Sequence, residues 1–203
     1  MNLLIFADLH GDESAIKELK EKSKYADLIV SAGDLTFFGN ELDQVIKELD
    51  SFGKPLLTIA GNHDDKNELQ IECDKSENII YLDNEIYVMK NFIFAGHSGN
   101  SFSLEDPDFK NIVKKVTDSK KGKDIIMVTH QPPYDTELDY IDGFDHVGSK
   151  TYKDYINASP PLLWICGHIH ETEGKVQNIK NCQIINPGPR GMLLSLGQGK
   201  DEV

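Results

Sequence analysis

Short apolar runs alternate along the first part of the chain with stretches in which apolar residues return every three or four positions. Nearly continuous runs are typical of strands buried on both faces of a parallel sheet, and the stretches between them are typical of amphipathic helices. Asp12 and Asn40 are candidate N-caps for the two helices. The β-α-β-α-β order favours a largely parallel sheet with helices on its faces. The three runs are residues 2–7, 26–32 and 55–60.

The middle and end of the chain follow a different pattern. Three short runs between residues 78 and 96 are separated by turn residues, which predicts an antiparallel meander. Asp106 as N-cap and Pro107 at the first helical position predict a further helix. A buried strand at 124–129 precedes a long loop at 131–147, and loops of that length are often functional. The remaining predicted elements are a helix near 149–157 and strands at 161–166, 174–179 and 182–186.

Size and charge limit the classes of function. The 203 residues show no internal repeat or boundary, so we expect a single domain, residues 1–203. The net charge of −13, with Arg190 as the only arginine, argues against a general attraction to nucleic acid or to an anionic membrane. No run reaches the roughly 18 apolar residues that cross a bilayer. The first residues lack the basic segment of a signal peptide and the three cysteines fit free thiols, so we expect a cytoplasmic protein.

Five of the apolar runs are followed by acidic, amide or imidazole side chains, which include five of the seven histidines. Ligands of α/β sheets bind at the carboxyl ends of strands, so we expect these side chains to meet in one crevice. His168 and His170 would project to the same side of an extended backbone and reach the same volume. The residues at the strand ends are Asp8, His10, Asp34, Asn62, His63, Asp64, His130, His168 and His170.

The chemical types of these side chains favour a metal centre. Carboxylate, imidazole and amide oxygen suit Mn, Fe, Zn, Co or Ni. One ion with open positions needs about three protein ligands, so seven donors favour two ions, with a carboxylate such as Asp34 as bridge. The seven donors are Asp8, His10, Asp34, Asn62, His130, His168 and His170.

Each motif taken alone also has an ordinary explanation. Asp8 fits a capping residue at a strand exit. The glycines before Asp34 and Asn62 fit turns, and His130 fits a loop histidine with a satisfied hydrogen bond. All of these explanations would have to hold together, so the combined pattern favours the metal centre.

The motifs DLH, GD, GNHD and GHIH, with His130 between the last two, resemble in their order those of the calcineurin-like metallophosphoesterases. The match spans positions 8–170, and the stretch THQPPYDTELD with the later HVGS is similar to small stand-alone members of that family. Thr129 departs from the pattern, since family members often carry glycine at this position. The departure concerns the local backbone geometry more than the binding of a metal. The resemblance implies an α/β fold, namely a four-layer α/β/β/α sandwich of two mixed sheets flanked by helices. It implies a first metal held by Asp8, His10, Asp34 and His170. It implies a second metal held by Asp34, Asn62, His130 and His168.

The function that the resemblance implies is that of a dinuclear metal-dependent phosphoesterase, a hydrolase. A hydroxide that bridges the two metals would attack a small soluble phosphodiester or phosphomonoester. Manganese is the expected metal, with iron, zinc, nickel, cobalt and magnesium as alternatives. His63 would face the leaving group and Asp64 would orient and charge its imidazole, whereas a plain loop hydrogen bond is the alternative for His63.

Two other functions are weighed against this one. A nuclease of the same chemistry would need a basic groove, and a non-catalytic interaction module on this fold would typically have lost ligand histidines. His97 and His146 are loop histidines for which a surface position is expected and contact with the substrate is the alternative. Arg190 is expected to be an exposed arginine, with a contact to phosphate as the alternative. His97 is left out of the catalytic set, and so are six polar residues that are candidates for shaping a substrate pocket, namely Asn100, Tyr134, Asp135, Asp145, His146 and Arg190.

Overall fold

The computed structural model describes residues 1–100 and 102–197 of the protein. Its strands form a five-stranded sheet, a six-stranded sheet and a two-stranded ribbon. None of the helices among these residues has both the length and the apolar character needed to cross a membrane. The helices are α1 (Glu13–Ser23), α2 (Leu42–Asp50), α3 (Lys66–Asp74), α4 (Phe109–Ser119) and α5 (Lys150–Ala158). The strands are β1 (Asn2–Phe6), β2 (Leu28–Ser31), β3 (Leu56–Thr58), β4 (Ile79–Tyr81), β5 (Ile86–Met89), β6 (Phe92–His97), β7 (Asp124–Thr129), β8 (Tyr140–Ile141), β9 (Asp145–His146), β10 (Leu163–Ile165), β11 (Val176–Ile179), β12 (Cys182–Ile185) and β13 (Met192–Ser195).

Both large sheets are mixed. The first has the order β13-β1-β2-β3-β4, in which β1 to β4 are parallel and β13 is antiparallel to β1. The second has the order β11-β12-β10-β7-β6-β5, with four parallel central strands and an antiparallel strand at each edge. The β-α-β-α-β order predicted for residues 2–60 is therefore confirmed.

Strand β1 shows how the layers pack. Leu4 and Phe6 belong to a core shared with helices α1, α2 and α3. Leu3 and Ile5 point the other way, into a core shared with the second sheet. A third core joins the far face of the second sheet to α4 and α5. Because side chains alternate along a strand, a run buried on both faces must be apolar throughout. The four-layer α/β/β/α sandwich is confirmed.

Helix starts follow the predicted caps only in part. The Asp12 carboxylate accepts the amides of Ser14 at 2.8 Å and Ala15 at 3.1 Å, so the predicted N-cap of α1 is confirmed. The prediction of Asn40 is wrong, because α2 begins after Glu41, which makes no side-chain cap hydrogen bond. The prediction of Asp106 is wrong as well, since Asp108 holds the N-cap position of α4.

The elements between residues 60 and 97 also differ from the prediction. Helix α3 has no counterpart in the sequence analysis, because only Leu69 and Cys73 of its residues are buried and its apolar stripe is weak. It connects β3 to β4, which pair in parallel in the first sheet. The predicted three-stranded meander is therefore wrong for its first strand, whereas β5 and β6 do form an antiparallel pair in the second sheet. Strand β13 and the β8–β9 ribbon within the loop at 131–147 were also not predicted.

His97 lies at the end of β6 and is buried, so its expected surface position is wrong. Its ring nitrogens contact Asn84 Oδ1 at 2.7 Å and Asp106 Oδ2 at 2.8 Å. Tyr152 of α5 donates its hydroxyl to the same Asp106 oxygen at 2.7 Å. Burial raises the pKa of Asp106, but the hydrogen bonds from His97 and Tyr152 outweigh burial and leave that pKa below its ordinary value. The buried carboxylate thus ties β6 to α5 and to the start of α4.

Replacing Asp106 by Asn is expected to lower the free energy of unfolding at pH 7 by about 2 kcal/mol, because two hydrogen bonds to a buried carboxylate are weakened. A carboxylate whose pKa falls on folding stabilises the protein above its ordinary pKa of 3.8, and this contribution disappears as the pH falls through the folded value. The difference between the two proteins should therefore shrink below about pH 4. Urea unfolding at several pH values measures it.

Asp154→Asn is the matched control, since Asp154 lies on α5 with an exposed side chain. It should change the free energy of unfolding by no more than about 0.5 kcal/mol. Equal effects of the two substitutions, or a pH-independent effect of the first, would contradict the assigned role of Asp106.

Candidate metal centre

The candidate ligands come from both sheets and meet at one edge. Strands β1, β2 and β3 of the first sheet and β7 and β10 of the second end there, each followed by one or two of the seven candidate ligands. Backbone hydrogen bonds fasten the loops to one another. The amide of Asp8 donates to Gly33 O at 3.0 Å, that of His10 to Asp34 O at 3.0 Å, and that of Gly167 to His130 O at 2.9 Å.

The donor atoms fall into two overlapping groups. Asp8, His10 and His170 offer ligand atoms that all lie within 4.8 Å of one another, and so do Asp8, Asp34 and His130. The Nε2 atoms of His10 and His170 are 3.3 Å apart. Asp34 Oδ2 lies between the groups, 3.8 Å from His10 Nε2 and 3.3 Å from His130 Nε2.

Nitrogen and oxygen donors crowd around His130 in the second group. Nδ1 of His130 donates to the carbonyl of Ala32 at 2.9 Å, so Nε2 of the neutral ring carries a lone pair. That atom lies 3.3 Å from Asp34 Oδ2 and 3.2 Å from His168 Nδ1. Asn62 Oδ1 lies 2.9 Å away. A carboxylate, two imidazoles and an amide oxygen this close together are the types of group that bind divalent metals, so this donor set fits such an ion.

The pKa shifts at the centre differ between its histidines. Burial, reinforced by the charge of His130, lowers the pKa of His168 to about 3, so its imidazole is neutral at pH 7. Burial also lowers the pKa of His130, but the carboxylates of Asp34 and Asp8 raise it further, and the net shift is upward. Burial raises the pKa of Asp34, yet His130 outweighs burial and the net shift is downward.

Left-handed backbone conformations turn the ligands into the crevice. The φ angles are 54° at Asp8, 47° at His10, 55° at Asp34 and 73° at His168. Such values cost non-glycine residues about 1–3 kcal/mol each, and they persist where the surrounding structure imposes them. The expected extended geometry of His168 and His170 is therefore wrong, since the second histidine begins a 3₁₀ turn. Both side chains nevertheless reach the centre.

Gly167 allows the two sheets to approach at Asp8. The Asp8 carboxylate accepts the amide of His168 at 3.1 and 3.0 Å, directly beside this glycine. A Cβ atom at position 167 would lie 2.6 Å from Ala7 Cβ and 2.6 Å from Asp8 Oδ2. Glycine is thus required here for space rather than for backbone freedom.

The Asp64 side chain bonds to backbone amides of the loops at the centre and not to the His63 side chain. Its carboxylate accepts the amides of Asp34 at 2.7 Å, Gly61 at 2.9 Å and Leu35 at 3.2 Å. Nδ1 of His63 is buried and has no hydrogen-bond partner among residues 1–100 and 102–197. The expected contact between the two side chains is therefore not formed. The backbone amide of His63 instead donates to Asp34 Oδ1 at 2.8 Å, which fixes the histidine to the centre.

Aromatic rings pack on two of the candidate ligands, a contact that sequence reasoning missed. Phe37 stacks on His10 with ring centroids 4.0 Å apart and an angle of 11° between planes. Phe102 packs on His168 at 4.2 Å. Nδ1 of His10 and Nε2 of His168 have no hydrogen-bond partner among the described residues, whereas the free ring nitrogen of a metal-bound histidine usually donates to a carbonyl or carboxylate. The phenyl rings therefore position these imidazoles in place of hydrogen bonds.

Thr129 fits its position without disturbing the site. Its hydroxyl donates to Gln131 O at 2.8 Å and accepts from Trp164 Nε1 at 2.8 Å. The residue is fully buried at the end of β7, directly before His130. The departure from the glycine common in the resembling family therefore adds a tie between β7 and β10.

Arg190 and His146, two of the candidate substrate residues, make their contacts outside the metal centre. Arg190 pairs with Glu18 of α1, so it is held on the surface beside that helix. His146 Nδ1 contacts the buried Asp139 at 2.7 Å. A cavity of about 380 Å³ lies beside His146, and none of the candidate ligands lines it. Its lining residues are Asp135, Thr136, Glu137, Tyr140, His146, Lys175 and Gln177.

The sequence profile described as calcineurin-like phosphoesterase matches residues 1–172, a range that contains every one of these ligands. The chain belongs to this family. It is thus a metal-dependent hydrolase of phosphoester bonds. "Uncharacterized protein MJ1162" of Methanocaldococcus jannaschii is 30% identical over 210 residues, covering 96% of this chain and 91% of that protein.

Two solved structures share the fold. TT1561 of Thermus thermophilus has a TM-score of 0.74 at 18% identity and covers 92% of this chain and 88% of its own. A dimetal phosphatase from Danio rerio has a TM-score of 0.65 at 13% identity, with 92% of this chain and 86% of its own covered. At these identities the likeness concerns the arrangement of the two sheets and their helices.

Replacing Gly167 by Ala is expected to weaken metal binding, because the added Cβ displaces the Asp8 carboxylate. Changes beside a ligand typically lower metal affinity 10–100-fold, and we expect a loss of about tenfold or more. Calorimetric titration of the metal-free protein with Mn²⁺ measures it. Gly197→Ala is the control, since a Cβ there meets nothing within 4 Å among residues 1–100 and 102–197 and should leave the affinity unchanged. An unchanged affinity in the first variant would show that this glycine does not position Asp8.

Proposed function

We propose that the protein is a dinuclear metal-dependent phosphoesterase that hydrolyses a small phosphodiester or phosphomonoester. The observation that carries the proposal is the position of Asp34 Oδ2, within 3.8 Å of His10 Nε2 and 3.3 Å of His130 Nε2. A carboxylate between two sets of imidazoles is the arrangement that two-metal sites use as a bridge. The first metal would be held by Asp8, His10, Asp34 and His170. The second would be held by Asp34, Asn62, His130 and His168.

Charge explains why an acidic protein would bind phosphate at this place. When bound, two divalent cations supply Lewis acidity toward the phosphoryl oxygens and ionise a shared water near neutral pH. The carboxylates of Asp8 and Asp34 cannot neutralise two dications, so the centre keeps a positive charge in a chain of net charge −13. We propose manganese as the metal, with iron, zinc, nickel, cobalt and magnesium compatible with the same donors.

His63 and Asp64 would act on the leaving group. His63 is half-buried beside the centre, and its ring centroid lies 5.1 Å from that of His10. We assign it to the leaving oxygen, to which it would donate a hydrogen bond or a proton as the P–O bond breaks. Asp64 would act on this step as a positioning residue, because it fixes the loop that carries His63.

The contacts around the centre favour a small substrate over nucleic acid. Among the described residues, the hydrogen bonds and ion pairs of the nine site residues involve imidazole, carboxylate, amide and backbone groups, and no lysine or arginine. A nuclease would need such cations along a groove. An interaction module would have no use for seven converging donors, so the catalytic function has the stronger support.

Metal analysis together with a substrate screen tests the proposal. The protein loaded with Mn²⁺ should retain two ions per chain after dialysis and should hydrolyse phosphomonoesters or phosphodiesters. Asp34→Asn should lose both ions and reduce kcat/KM by about 10³-fold or more, since one carboxylate serves both sites. His146→Ala should keep both ions, because His146 contacts Asp139 and none of the site residues. A single retained ion with full turnover would contradict the dinuclear centre.

His63→Ala is expected to keep both metals and to lower kcat about 10²–10⁴-fold, the usual contribution of a general acid. The loss should be larger for an alkyl ester than for a p-nitrophenyl ester, because a poor leaving group depends more on protonation. Steady-state kinetics at equal metal occupancy compares the two substrates. Equal losses for both would show that His63 acts elsewhere than on the leaving oxygen.

A further inference from the structure

Three phenylalanines are exposed around the candidate metal centre. The exposed fractions of these residues are 51% for Phe37, 79% for Phe38 and 63% for Phe102. None of them belongs to the three hydrophobic cores described for residues 1–100 and 102–197. Large apolar groups that gather in water beside a catalytic centre usually contact a ligand.

Each of these rings touches an imidazole of the site. Phe37 stacks on His10, and Phe102 packs on His168 with 4.2 Å between ring centroids. Phe38 approaches His63 at 4.5 Å. Because the rings contact ligands of both proposed metals, the phenyl groups flank the centre. Phe38 is the most exposed and touches the residue that we assign to the leaving oxygen.

The backbone at Phe38 and Phe102 is unfavourable as well. Their φ angles are 51° and 63°, in the left-handed region that bulky residues rarely adopt. Strain of this kind persists at ligand-binding positions, where the surrounding structure imposes it. Because Phe38 and Phe102 are exposed and their backbone is strained, phenyl groups at these two positions do not stabilise the fold.

We propose that Phe38, supported by Phe37, is the platform on which an aromatic ring of the substrate's leaving group stacks. This inference rests on the proposed function and narrows its substrate class to phosphate esters of ring-bearing alcohols, nucleosides included. The charges agree, since among the described residues no lysine or arginine is bonded to the site residues and a neutral ring needs none. Aromatic rings stack on an exposed phenyl group without further hydrogen bonds.

A pair of substrates with similar leaving groups isolates the effect of the ring. Benzyl phosphate and cyclohexylmethyl phosphate release alcohols of similar acidity and size, and only the first carries an aromatic ring. Their dibenzyl and bis(cyclohexylmethyl) diesters form a second pair. For the Mn²⁺-loaded protein we expect kcat/KM, followed by phosphate or alcohol release, to be about 5–100-fold higher for the aromatic member of the pair that is hydrolysed.

Variants at Phe38 show whether this residue is the source of the preference. Phe38→Ala and Phe38→Leu should bring the ratio of the two kcat/KM values close to one, and Phe38→Trp should keep it. Phe144→Ala is the matched control, since Phe144 is similarly exposed at 78% in the turn between β8 and β9 and should leave the ratio unchanged. Calorimetric binding of benzylphosphonate and cyclohexylmethylphosphonate provides the same comparison without turnover.

Each outcome distinguishes the platform from the proposed function. Turnover of both esters with a ratio near one in the unmodified protein would overturn the platform and leave the phosphoesterase standing. Equal losses of kcat/KM for both esters in Phe38→Ala would leave their ratio unchanged. This result would also overturn the platform and leave the phosphoesterase standing, because a merely structural role of Phe38 affects both substrates alike. Absence of turnover for every ester would overturn the proposed function and the platform with it.

Discussion

Electrostatic repulsion between the buried carboxylates of Asp8 and Asp34, at the shared edge of two sheets, is the constraint around which this protein is organised. Imidazole nitrogens and carboxylate oxygens lie between 3.2 and 3.8 Å apart in a largely buried cluster, with Asp34 Oδ2 at its middle. Such a cluster stabilises the fold only when positive charge lies within it. Burial lowers the pKa of His168 and of His10, whereas at His130 the carboxylates of Asp34 and Asp8 outweigh burial and shift the pKa upward. The fold supplies the geometry, and the bound cation would relieve the repulsion.

The apolar cores on both faces of each large sheet provide the stability that this arrangement needs. Four of the candidate ligands adopt left-handed backbone conformations, each unfavourable by about 1–3 kcal/mol. Strands β1, β2, β7 and β10 are buried on both faces, so the loops at their carboxyl ends start from rigid positions. Asp64 then joins the loops after β2 and β3 through three backbone amides. The packing of these buried strands and the hydrogen bonds of Asp64 thus offset the backbone strain at the candidate ligands.

Local patterns in the sequence were sufficient to predict a largely parallel sheet with helices on its faces and the gathering of the donors, whereas the four layers were implied by the family resemblance. A continuous apolar run fixes a strand buried on both faces, and the next residues lie at its carboxyl end. Contacts between distant segments were beyond such patterns. The Asp64 bonds to the β2 loop and the phenyl rings on His10 and His168 each join residues far apart in sequence. Helix α3 was missed because its apolar stripe is weak. Without this helix as a connection, the parallel pairing of β4 with β3 was missed as well.

The pairing of β12 with β10 and of β13 with β1 has a consequence for how the protein is made. Both pairs bring residues from beyond position 172 beside the strands that lead to His168 and Asp8, and Ala7 also bonds to Gly188. Each of these two strands therefore lacks one of its two neighbours until β12 and β13, which lie within residues 182–195, have been synthesised. Contacts between residues 160 positions apart form slowly. Assembly of the centre is accordingly a late event of biosynthesis, and a cation acquired then would lock the last strands in place.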